Sequence, residues 1–95
     1  MSGGSFNYLQ YGLDQISDDI EDVIYHNDSQ ELDEWGSKKG AGYSEETIRE
    51  LKLGVLYLKQ ALVYAQRADY LFAGDDGEET FHKRLKSDLE KLNEL

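Results

Sequence analysis

From Ser44 to Ala73 the sequence offers a helix no place to stop, and that stretch decides most of what the chain can become. It contains no proline, as does the whole chain, and Leu, Glu, Lys, Ala and Tyr dominate it. Ser44 suits the N-cap, with Glu45 and Glu46 in the first turn where carboxylates favour the helix dipole. Gly74 suits the left-handed residue that closes a helix. At about 1.5 Å per residue such a helix is about 43 Å long. Ile48, Leu51, Val55, Leu58, Leu62, Ala65 and Phe72 form one seam along it. Leu53, Leu56, Tyr57, Val63, Tyr64 and Leu71 cover much of the rest. A helix apolar nearly all round belongs in the middle of other helices.

Two shorter helical segments flank it. Phe6, Leu9, Leu13, Ile16, Ile20 and Val23 or Ile24 recur at spacings of three and four, which predicts a helix from about Phe6 to Tyr25 with Gly12 as a weak point. A third helix is expected from about Glu78 to Leu92, capped by Asp75 or Asp76. Matching the seams places Leu9 against Leu62, Leu13 against Leu58, Ile16 against Val55 and Ile20 against Leu51, each pair of numbers summing to 71. Across the Gly74–Gly77 turn, Leu62 meets Leu89 and Ala65 or Gln66 meets Leu85. The chain is therefore expected to be all-α, a single domain of residues 1–95 forming an antiparallel three-helix bundle. Residues 1–5 read as a flexible start, and residues 27–43, rich in Gly, Asp, Asn and Ser, as the one long loop. The central helix outruns either neighbour, so self-association, most simply as a homodimer, is expected near Tyr57, Tyr64 and Leu71.

Charge is distributed unevenly. Residues 1–43 hold nine acids against Lys38 and Lys39, a net −7, while residues 44–95 hold eleven acids against eight bases, a net −3. The nine are Asp14, Asp18, Asp19, Glu21, Asp22, Asp28, Glu31, Asp33 and Glu34. On the first helix they face water, opposite the apolar seam. One-signed acid repels itself, so such a face suits a basic partner surface. Direct binding to nucleic acid is disfavoured, because that affinity comes from Lys and Arg on phosphates. An anionic membrane surface is disfavoured for the same reason, and no apolar run approaches the roughly 20 residues of a span. The absence of cysteine excludes disulfides and thiolate chemistry and points to a reducing cytoplasm.

Chemistry-bearing motifs are sparse. Asp69 falls where the central seam expects an apolar residue, and the hairpin register sets it opposite His82. Such a pair orients an imidazole in an enzyme, but with no nucleophile placed beside it the expected role is a structural latch. Glu79 and His82 have the spacing of two metal ligands on one helical face, yet no second motif completes a di-metal site, and His26 is the one other histidine. Asp75, Asp76, Glu78 and Glu79 lack the ligand spacing of a calcium loop. No metal and no cofactor is therefore expected. Seven tyrosines suit interfaces, or alternatively a nucleotide stacked between subunits with Arg67, Lys38 or Lys39 on its phosphate. Trp35 is either an anchor into a partner or a lid over the bundle.

Two segments, Met1 to Tyr8 (MSGGSFNY) and Ala73 to Leu85 (AGDDGEETFHKRL), resemble short proteins of bacteriophages, prophages and other mobile elements. The likeness covers about a quarter of the chain and implies that Ser2–Ser5 belongs to the protein. It implies no catalytic residues. It does imply a cytoplasmic setting in an infected or lysogenic bacterium and an anti-defence role. The expected function is non-enzymatic inhibition of a host defence protein with a basic surface, as by an anti-CRISPR protein that imitates nucleic acid. Asp14, Asp18, Asp19, Glu21, Asp22, Trp35, Lys38 and Lys39 are its candidate contacts. A nucleotide sponge and a structural accessory protein are the alternatives.

Overall fold

A computed structural model describes residues 6–93. The expectation of a flexible segment at residues 1–5 lies outside them. Helix α1 spans Tyr11–Tyr25, α2 spans Glu45–Phe72 and α3 spans Glu78–Asn93. The chain is all-helical as expected, with α2 packed against both α1 and α3.

The ends of α2 form as the sequence predicts. Ser44 Oγ accepts from the Thr47 N–H. At the other end Gly74 has φ +84, its N–H donates to Leu71 O, and the Asp75 N–H donates to Tyr70 O. Those two bonds are the Schellman closure. Gly77 O, rather than an aspartate side chain, takes the first bond of α3, from the Phe81 N–H. The Asp76 carboxylate is turned instead towards Arg67 and Arg84.

α1 departs from expectation in three ways. It starts at Tyr11 rather than Phe6, because Asn7 and Tyr8 take left-handed backbone angles (φ +53 and +60) and the chain enters through i→i+3 turns. Gly12 lies inside the helix without breaking it. It is also displaced along α2. Phe6 meets Phe72, Gln10 meets Asp69 and Glu21 meets Lys59, so pair sums are near 79 and α1 has slid by about two turns towards the C-terminal end of α2. Finally, it is rolled by one residue. Gln10, Leu13, Ser17, Ile20, Ile24 and Asn27 turn inward, while Leu9, Ile16 and Val23 remain exposed.

The roll has a polar cause. Gln10 Nε2 donates to both Asp69 Oδ2 and Gln66 Oε1 at 3.0 Å. Asn27, just past the helix, donates to Tyr43 O and accepts from the Tyr43 N–H. A Leu9–Ile16–Val23 seam would leave those bonds unmade, and buried polar groups without partners cost about 1–3 kcal/mol each.

The result is a flat, elongated layer. Its extents are 54 × 26 × 15 Å and its radius of gyration is 17.4 Å, against about 12 Å for a globular chain of this length. α1 and α3 do not pack on each other. Val55 is the one apolar side chain among the described residues to be buried, and the other fully or nearly buried side chains are polar.

Candidate functional site

The exposed edge of α1 joins charge to apolar surface. Asp14, Asp18, Asp19, Glu21 and Asp22 all lie in water. Glu21 reaches Lys59 of α2 at 2.8 Å, Asp19 accepts from Gln15, and Asp22 sits beside His26 Nδ1 at 3.3 Å. Among the described residues, one lysine therefore meets the whole acidic stretch. Alongside it lies a groove of about 530 Å³ lined by Ile16, Ile20, Val23, Tyr43, Thr47 and Leu51, with Asp19 at its wall. The roll of α1 opens this groove, since Ile16 and Val23 would otherwise be spent against α2.

The loop after α1 is more ordered than its composition suggests. Leu32 and Lys38 form an antiparallel bridge, flanked by Asp33 N–H to Ser37 O and Lys39 N–H to Glu31 O at 2.8 Å. Asp33 Oδ1 accepts from the Trp35 and Ser37 amides at 2.9 Å, and Gly36 (φ +82) completes the tip. Gly40 lies so close to the Asn27–Ser29 backbone that a Cβ there would sit 2.7 Å from three of its atoms. This small hairpin presents Trp35, 81% exposed, at its end. Trp35 is thus no lid over the bundle. Lys39 pairs with Glu31 at 3.7 Å, while Lys38 is exposed.

The other expected residues separate. Asp69 is fully buried, as its register position requires, but its carboxylate receives Gln10 from the segment before α1. His82 is exposed on α3 with its ring edge against Phe81. Tyr57 and Tyr64 are exposed on α2 and Leu71 is half-buried. Arg67, the arginine a bound nucleotide would need, is 13% exposed and already committed. It lies 3.5 Å from Asp76, 3.4 Å from Asp88 and 4.7 Å from the Tyr70 ring centre.

Sequence reasoning missed Asp76 as the centre of that cluster, and Gln10, Ser17 and Asn27 as the inward positions of α1. The signal was present: 10, 13, 17, 20, 24 and 27 keep a three–four spacing as regular as the apolar one. Among the described residues no group of three or more His, Cys, Asp or Glu side chains is placed to hold a metal ion. No helix there is long and apolar enough to cross a membrane. Set against known proteins, the chain matches no family model, no curated protein and no solved structure.

Proposed function

We propose that this chain is a non-enzymatic binding protein that docks through α1 onto a basic surface of a host protein. The observation that carries the reading is the union of two features on one edge. An open apolar groove at Ile16, Ile20 and Val23 runs beside a row of exposed carboxylates with a single lysine among them. An apolar floor supplies affinity, whereas one-signed charge steers the approach and selects a basic partner. Trp35 on its hairpin adds an anchor of the kind that dominates interface energetics. The likeness of both ends to phage and prophage proteins makes a host defence protein, such as a nuclease with a basic nucleic-acid channel, the class of target. The cytoplasm of the infected or lysogenic cell is then the place of action.

Affinity capture from the bacterial host, followed by two sets of variants, tests this. Asp18→Lys, Asp19→Lys and Asp22→Lys together leave the fold intact, since all three side chains lie in water. They should abolish capture of the partner at moderate salt. Ile16→Asp with Val23→Asp should abolish it at every salt concentration. If the triple lysine variant retains the partner with unchanged affinity and salt dependence, α1 is a solvated face and the docking surface lies elsewhere.

A further inference from the structure

The outer face of α2 is the largest unclaimed surface of the molecule. α1 takes the side of α2 carrying Leu51, Val55, Gln66 and Asp69, and α3 takes the side near Arg67. Away from both, Leu53, Tyr57, Ala61 and Tyr64 are exposed, with Ala68 half-buried among them, and the line ends about five turns on at Phe72, which is exposed although Phe6 touches one edge of its ring. Tyr57 is 62% and Tyr64 51% exposed. No exposed carboxylate interrupts this line, since Asp69 is buried against Gln10, in a chain of net charge −10. Gly54 sits on the same side in the helix interior, where glycine is the poorest helix former after proline. Within the chain a Cβ there would meet nothing within 4 Å, so the fold of one copy gives no reason for the missing side chain.

We infer that this face is the contact between two copies of the chain, crossing antiparallel about a two-fold axis near Ala61. The face is self-complementary about that point. Tyr57 of one copy reaches Tyr64 of its mate, Ala61 meets Ala61, and Gly54 meets Ala68, so large side chains flank a line of small ones. The missing Cβ of Gly54 then gives the approaching helix room. Antiparallel crossing also opposes the two helix dipoles.

Surface area supports a second copy as the occupant. The chain exposes 7078 Å², against about 5,600 Å² expected for a folded monomer of its mass. The excess exceeds the roughly 800 Å² per partner of a standard interface. Tyr57, Tyr64 and Phe72 alone leave about 700 Å² of aromatic surface exposed over two copies. A basic partner has no carboxylate to meet on this line, whose exposed residues are Leu53, Tyr57, Ala61, Tyr64 and Phe72. This inference does not rest on the docking reading, whose residues Ile16, Ile20 and Val23 lie on α1.

The absence of cysteine makes the test direct. Sedimentation velocity of the full chain from about 1 to 100 μM should show a dimer. Tyr57→Glu with Tyr64→Glu should convert it to a monomer with unchanged helical circular dichroism. Ala61→Cys should oxidise to a disulfide-linked dimer at least tenfold faster than Ser87→Cys, an exposed position on α3. A wild-type monomer across that range overturns the inference. So does a dimer that survives the glutamate pair, or equal oxidation rates at the two cysteines, since either places the contact on another face.

Discussion

Asp76 offers the sharpest check on how the α2–α3 hairpin is held. Its side chain is 1% exposed, with Arg67 Nη1 at 3.5 Å from one carboxylate oxygen and Arg84 Nη1 at 3.1 Å from the other. Arg67 is itself only 13% exposed, whereas Arg84 is 60% exposed. The three charges should therefore weigh very differently. Removing one partner of a buried pair costs on the order of 3–5 kcal/mol, because a charge is left behind in a poorly solvated place. Asp88, 3.4 Å from Arg67 Nε, compensates part of that loss, so Asp76→Ala is expected near the lower end, about 3 kcal/mol. Arg84→Ala breaks a contact screened by water and should cost under about 1 kcal/mol. At roughly 4–8 °C per kcal/mol for a domain of this size, the first lowers the melting temperature by about 12–24 °C. Asp76 lies in the turn, so helix propensity does not confuse the comparison. Urea denaturation followed by circular dichroism at one fixed protein concentration measures both variants, since coupling to association would make midpoints drift. An Asp76→Ala cost within about 0.5 kcal/mol of wild type, the range of an ordinary surface change, would refute the reasoning.

Two further outcomes are expected. Ser17 is fully buried in α1 with no hydrogen-bond partner for its Oγ among the described residues, so Ser17→Ala should raise stability by about 0.5–1 kcal/mol in the same denaturation assay; destabilisation would show that the hydroxyl is satisfied. Gly40→Ala forces a Cβ against backbone atoms of Asn27 and Ser29 and should cost about 1–3 kcal/mol, with faster hydrogen exchange at the Asp33 and Lys39 amides; unchanged exchange would mean that the hairpin does not depend on that approach.

What the sequence made legible was local. The cap at Ser44, the closure at Gly74 and the three helices follow from residue chemistry within a turn or two, and all form. The placement of α1 did not follow, because seam matching scores apolar residues alone. Sliding a helix by about two turns returns nearly the same face, so the apolar pattern separates the two registers poorly. The decision falls to Gln10, Gln66 and Asp69, whose hydrogen bonds form in one register and not the other. The latch between Asp69 and His82 was inferred from the same symmetry, but Asp69 turns to Gln10 across the other interface. The hairpin that carries Trp35 was hidden for a different reason. Gly, Asp and Ser rule out a helix without revealing that Asp33 would organise two amides and Gly40 would close the base.

These placements explain why the chain has two open apolar faces instead of one closed core. Rolling α1 by one residue spends Gln10, Ser17 and Asn27 inside and leaves Leu9, Ile16 and Val23 outside. Keeping α1 and α3 apart leaves the outer side of α2 uncovered. Two exposed apolar faces on one small chain invite indiscriminate association unless something distinguishes them. Charge does so here. The α1 stripe is bordered by Asp14, Asp18, Asp19 and Asp22, so two such stripes would repel each other, and the proposed occupant is a basic surface instead. Asp69, the one carboxylate between Leu53 and Phe72, is buried against Gln10, so the exposed α2 face lacks both that repulsion and that attraction and suits the proposed second copy. On the proposed reading, the placement of the acidic residues is what separates the two apolar faces, one for a basic partner and one for a second copy.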